Sequence, residues 1–312
     1  MQILLITLFA VLSLLLIAVP GYLLINRKMI SEECIGGASK ILLYVAQPCL
    51  AVYTFTEAEF SLKVLADIGI FALISLLLVS AMLCGAYLIL RKKYADPIHR
   101  IMTVAVAFAN CAFFGIPVIE ALLPDKAAGL MIYTTVFAVV MNIIGWTLGS
   151  AIISGNAKHV SVKKIFLNPA VIGLLVAMFI FILRIPIQKD ILSMISVTGR
   201  MCSPLSMLIM GMRLATMKPS DIFTNPRVYL TIAVKQMLMP LVAFAIIFFM
   251  PLAPEVKQTF FIIAACPVAS VVLNFAEIVG AGQKEGAAMV LVGTMLSIVT
   301  MPVMMLMLPL LA

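Results

Sequence analysis

Apolar residues run along this chain in ten long stretches separated by short polar or charged intervals. They fall at 1–26 and at about 35–55, 62–90, 101–119, 128–153, 168–183, 191–214, 228–250, 259–279 and 287–311. A helix rises about 1.5 Å per residue, so an apolar run of about 20 residues matches the hydrocarbon thickness of a bilayer. The pattern therefore predicts an all-α integral membrane protein with ten transmembrane helices.

Two of the stretches are interrupted. Span four is uncharged from Ile101 to Ile119, yet it contains Asn110-Cys111-Ala112-Phe113-Phe114-Gly115-Ile116-Pro117. Proline removes a backbone donor and crowds the preceding turn, and glycine loosens the chain before it. Two readings stand side by side: a helix broken at mid-membrane with Asn110 offering its amide to a ligand, and a kinked but continuous span with a buried Asn. Span nine is interrupted as well, at Cys266-Pro267, followed by Ser270 and Asn274.

Five spans in 1–153, a short basic linker in 154–167 and five spans in 168–312 are the arithmetic of an inverted repeat, since an odd number per half turns the second half upside down. The interruptions then occupy position four of each half. The halves also align without gaps at Glu120 against Glu277 and Gly129 against Gly286. In this arrangement the second half of span four begins near Ile116-Pro117 and that of span nine near Ser270 to Val272. Two helix N-termini meet, and their free N–H groups favour an anion. Asn110, Ser270 and Asn274 are candidate neutral donors. Gly115, Pro117 and Pro267 shape the breaks. Phe113 and Phe114 are candidate walls, with plain packing as the alternative.

Composition settles the class. Hydrophobic residues are 64% of 312, charged residues 11%, and the mean hydropathy is +1.21, more apolar surface than a soluble core of this size can hide. The net charge of +8 belongs to loops between spans, with no aromatic-rich basic face for nucleic acid. Loops after odd spans carry twelve Lys and Arg, those after even spans five, which places the odd loops in the cytoplasm and both termini outside. Residues 1–26 lack a basic start and read as a retained first helix in the cell (inner or plasma) membrane. The six cysteines have no CxxC spacing and read as small core residues, without disulfide, metal or cofactor. His99 and His159 fall in expected loops. No acid/base pair, nucleophile elbow or phosphate loop points to an enzyme or an ATP engine.

Ionisable groups inside spans are costly and are candidates for function. Asp67 in span three and Lys235 in span eight are candidate coupling residues, along with Gln47 beside Pro48. Lys235 has a bland alternative, a side chain that snorkels to the cytoplasmic surface. Arg213 reads as a positive-inside anchor, Arg200 as a residue without an obvious partner, and Glu120 and Glu277 as solvated.

Taken in order, Pro20-Gly21-Tyr22-Leu23, Gln47-Pro48, Asn110 to Gly115-Ile116-Pro117, Lys235 to Pro240, Cys266-Pro267 to Phe275-Ala276-Glu277, and Ser297 to Pro302 resemble the auxin efflux carrier family over the whole chain. The resemblance implies ten helices in two inverted five-helix repeats, with broken, crossing helices four and nine. It further implies a scaffold from helices 1, 2, 6 and 7 and a transport part from 3–5 and 8–10. The implied activity is secondary transport of a small organic anion, an auxin-like carboxylate or a dicarboxylate, by elevator-type alternating access. H+ or Na+ is the candidate coupling ion and a homodimer the candidate assembly. The short linker resembles bacterial members. Two positions depart: Val272 stands where plant carriers have the crossing proline, and Ile70 and Phe71 stand where a lysine follows the Asp matched by Asp67. A sodium-coupled symporter of the distantly similar bile-acid type is the competing reading.

Overall fold

A computed structural model describes residues 2–155, 168–273, 276 and 282–312. Among these residues the protein is helical throughout, with one isolated antiparallel bridge between Ala109 and Val268. Among the described residues seven helices are long and apolar enough to cross a membrane: Gln2–Asn26, Cys34–Thr56, Leu62–Lys93, Ala127–Ser154, Lys189–Thr216, Pro226–Phe248 and Gln283–Met305. They correspond to expected spans one, two, three, five, seven, eight and ten. The other three are shorter. Span six is Pro169–Leu183, and span four is divided into Pro97–Ala105 and Cys111–Leu122. Span nine runs as Pro254–Ala265, leaves the helix at 266–270 and resumes at 271–273. His159, Asn274, Glu277 and most of the linker lie outside the described residues.

Local chemistry explains where these helices start. Asp96, Asn168 and Asn225 each accept a hydrogen bond from the amide two residues on, at 3.1, 2.9 and 3.0 Å, and each is followed by a proline at the first helical position. Inside the helices, proline has a different effect. Wider π turns at Leu42–Ala46, Cys111–Gly115 and Val234–Leu238 each end two residues before a proline, at Pro48, Pro117 and Pro240. A proline has no N–H for the carbonyl four residues back and its ring crowds that carbonyl. The added turn relieves both without breaking the helix.

Two kinds of packing divide the helices. Spans one, two, six and seven approach each other through glycine. A Cβ at Gly211 would lie 1.8 Å from the Ala18 carbonyl oxygen, and one at Gly21 would lie 2.1 Å from that of Leu208. Added Cβ atoms at Gly173 and Gly199 would lie 2.7 and 2.8 Å from Cα of Pro48 and Leu50. Small residues permit this because lipid gives no hydrophobic drive between helices, so close backbone contact must hold them. Spans three, five and nine pack through rings: Phe71 against Tyr133 at 4.8 Å and Phe260 at 5.2 Å, and Phe260 against Phe137 at 6.1 Å. Gln236 ties span eight to span ten, donating to the Gly293 carbonyl at 2.6 Å and accepting from Thr300.

Three expectations change here. His99 is not in a loop but is 7% exposed within Pro97–Ala105, because the Asp96-Pro97 start sets the helix beginning ahead of it. Cys34 and Cys84 are exposed on the outside of the helix bundle, so only Cys111, Cys202 and Cys266 are buried core cysteines. Arg200 has a partner, Glu120, at 3.4 Å.

Candidate functional site

The interruptions of spans four and nine meet. Asn110 N donates to the Pro267 carbonyl at 2.9 Å and Ala269 N donates to the Phe108 carbonyl at 3.0 Å, which makes the Ala109–Val268 bridge. Free backbone groups have no water to turn to in hydrocarbon, so irregular chain survives there only where partners exist. Two more backbone groups at the break are satisfied locally. Asn110 has φ −75° and ψ 59°, the centre of an inverse γ-turn in which Cys111 N donates to the Ala109 carbonyl at 2.8 Å. Phe114 N then donates to the Asn110 carbonyl at 3.2 Å.

Lys235 completes the other side. Its side chain is fully buried, and Nζ donates to the carbonyls of Ala264 and Cys266 at 2.9 and 2.8 Å. These carbonyls end helix Pro254–Ala265, where the helix dipole is negative and later amides no longer follow the spiral. The snorkelling alternative is therefore excluded. Nor is Lys235 paired with Asp67: among the described residues it has no carboxylate within ion-pair distance, and Asp67 is half-buried in span three.

Beside the bridge lies a cavity of about 140 Å³, room for several waters or one small carboxylate. Its polar lining comes from Gln47, Asn110, Asn142, Trp146, Asn168 and Ser270, and Phe113 forms a wall. Asn142 donates to the Ala138 carbonyl at 2.8 Å and accepts from Asn168 at 3.5 Å. Asn110 differs. It is 4% exposed, and its Nδ2 has no hydrogen-bond partner among the described residues. A buried amide donor without an acceptor costs about 1–3 kcal/mol, and this one borders the cavity. A smaller cavity of about 50 Å³ continues past Leu43, Phe113 and Ser270, which line both, towards Arg213.

A family model described as membrane transport protein matches residues 6–305 of the chain, nearly its whole length. The chain belongs to that family, the auxin efflux carriers. It is thus a multi-pass membrane transporter with a small transported substrate. No curated protein matches it.

In this carrier, then, Asn110, Phe113, Ser270 and Gln47 of the sequence candidates share one cavity. Gly115 faces the other break, where a Cβ would meet the Cys266 sulfur at 3.3 Å. Pro267 contributes its carbonyl to the bridge. Phe114 is fully buried and lines neither cavity, which is the packing role. Pro117 is not at the break: the second half of span four starts at Cys111, one turn earlier than Ile116-Pro117, and the proline shapes the π turn that follows. The break falls at 106–110 because the chain there pairs with 267–269, a preference no residue of Val106-Ala107-Phe108-Ala109 expresses by itself. Asn142 and Asn168 also line this cavity and are not among the sequence candidates. A lone Asn in the apolar run of span five was the available signal for the first, and Asn168 reads from sequence only as a helix cap.

Proposed function

We propose that this carrier is a secondary active transporter of a small organic anion, working by elevator-type alternating access. Asn110 carries the reading: a buried amide with no acceptor among the described residues, at the edge of a largely apolar cavity that holds a few polar groups. The helix starting at Cys111 turns its positive dipole end towards this cavity, and the side chains of Asn110 and Ser270 add neutral donors for a carboxylate. Neutral donors suit a carrier, because no buried charge is left unpaired when the site is empty.

Ten spans in two inverted repeats, the second beginning after 154–167, account for the placement of both breaks at position four. Spans one, two, six and seven then form the scaffold, and three to five with eight to ten form the moving part. The glycine-mediated contacts within the first group support this division. So do the sparse polar links between the groups, Thr54 to Thr135 at 2.9 Å, Asn168 to Asn142 and Arg200 to Glu120. In proteoliposomes, saturable uptake of a mono- or dicarboxylate with accelerated counterflow is expected, along with thermal stabilisation of the purified protein by the same anion. Flux without saturation or counterflow would instead make the protein a channel, and saturable sodium dependence would favour the symporter of the bile-acid type.

Both termini are outside in this reading, following the charge of the loops. In a cysteine-free background of whole cells, Lys126→Cys should react with a membrane-impermeant maleimide and Lys92→Cys should not. The opposite labelling would reverse the topology.

A further inference from the structure

We propose that Lys235 is a tethered cation. Its ammonium fills the place, at the end of helix Pro254–Ala265, where a separate coupling cation would otherwise hold the crossing, so the crossing is complete without Na+. The proposal rests on the transport reading only in what it says of uptake.

Broken helices in carriers expose carbonyls at the ends of their half-helices, and those carbonyls are the usual ligands of a coupling Na+. Here the exposed carbonyls are those of Ala264 and Cys266, whose helical partners would have been the amides of Val268 and Ser270. Val268 instead belongs to the bridge with Ala109. Lys235 Nζ meets both carbonyls at 2.9 and 2.8 Å, using two of its three donors. The ammonium is fully buried, has no carboxylate in reach among the described residues, and holds two of the helix-end carbonyls that a metal cation would use. Its compensating charge is the negative end of the half-helix dipole.

The first half of the chain does not repeat the device. Helix Pro97–Ala105 closes its end with its own backbone, Val106 N donating to the Met102 carbonyl and Ala107 N to that of Val104, each at 3.1 Å. The alignment that places Glu120 against Glu277 puts Leu78 opposite Lys235, and Leu78 is fully buried with no charge to offer. The two breaks are therefore closed by different chemistry. Only the break in span nine depends on a cation, and that cation is covalently attached. Lys235 is a positioning residue: it acts by holding Cys266 and Pro267, and through the Pro267 carbonyl it fixes the Asn110 backbone.

The test uses the purified full chain, with unfolding midpoints measured at constant ionic strength in choline, sodium and propylammonium chlorides. Propylammonium has the atoms that Lys235→Ala removes. The wild type should have the same midpoint in all three salts. Lys235→Ala and the neutral, similar-sized Lys235→Met should unfold on the order of 10 °C lower in choline. In Lys235→Ala, propylammonium, and to a smaller extent Na+, should restore most of the loss, which a merely space-filling side chain would not allow. In Lys235→Met neither ion has room, and no recovery is expected. A wild-type midpoint in Lys235→Met, or no recovery of Lys235→Ala by either cation, overturns the proposal. If neither variant can be purified, the wild type still decides: saturable stabilisation by Na+, or uptake that requires it, shows that the place is not already filled. Cation rescue of Lys235→Ala without any stabilisation by carboxylates would support Lys235 as a tethered cation and count against the anion alone.

Discussion

Asn110→Ala should weaken binding of the proposed carboxylate substrate about ten- to a hundredfold while leaving the protein folded. A hydrogen bond to a charged group contributes roughly 1.5–3 kcal/mol, and each 1.4 kcal/mol is about a factor of ten. The main-chain bonds of residue 110 to Pro267 and Phe114 do not need the side chain, so the crossing survives the substitution. The empty protein should even gain slightly, since Nδ2 is buried without an acceptor. Isothermal titration and thermal unfolding, made on the same sample, separate the two effects. Pro117→Ala is the contrast. The break at 106–110 is held from across the crossing by 267–269, so removing Pro117 relaxes the π turn at Cys111–Gly115 and does not heal the helix. Transport should fall in Pro117→Ala without being abolished. Undiminished affinity in Asn110→Ala would move the anion away from this cavity.

Gly211→Val should prevent stable folding of the four-helix group made by spans one, two, six and seven. Even the first added carbon falls 1.8 Å from the Ala18 carbonyl oxygen and 2.9 Å from the Tyr22 amide nitrogen, both backbone atoms that no rotamer change can move aside. Spans one and seven must separate, and the matching contact at Gly21 with Leu208 goes with them. A cost of roughly 3 kcal/mol or more is expected, the upper end for overpacking. Gly69→Ala serves as control, since nothing lies within 4 Å of a Cβ at that position. It should be neutral or stabilise span three by about 0.5–1 kcal/mol through helix propensity. Size-exclusion profiles and circular-dichroism melts in detergent report both. Equal behaviour of the two variants would mean that the approach of spans one and seven is looser than its geometry indicates.

What the amino-acid sequence determined by itself was whatever depends on neighbours along the chain. Apolar runs long enough for a bilayer set the class, and Asp96-Pro97, Asn168-Pro169 and Asn225-Pro226 set helix starts. The motifs from Pro20 to Pro302 pointed to the family. The two interrupted stretches were legible for the same reason: Asn and Pro are out of place in hydrocarbon wherever the rest of the chain lies. The tertiary structure decided what depends on a partner far along the chain. Proline marked the π turn of span four, but the break sits at 106–110, because only the facing backbone of 267–269 can satisfy a chain that leaves the helix there. Lys235 read equally as a snorkelling or a functional lysine until the end of span nine placed two carbonyls against it. Gly69 and Gly211 look alike in sequence, and only the second has another helix's backbone where its side chain would be. Asn142 and Asn168, distant in sequence, became walls of one cavity because the spans that carry them pack side by side. Helices are specified by local sequence, whereas a binding site in a membrane is specified by which helix ends are left for others to satisfy.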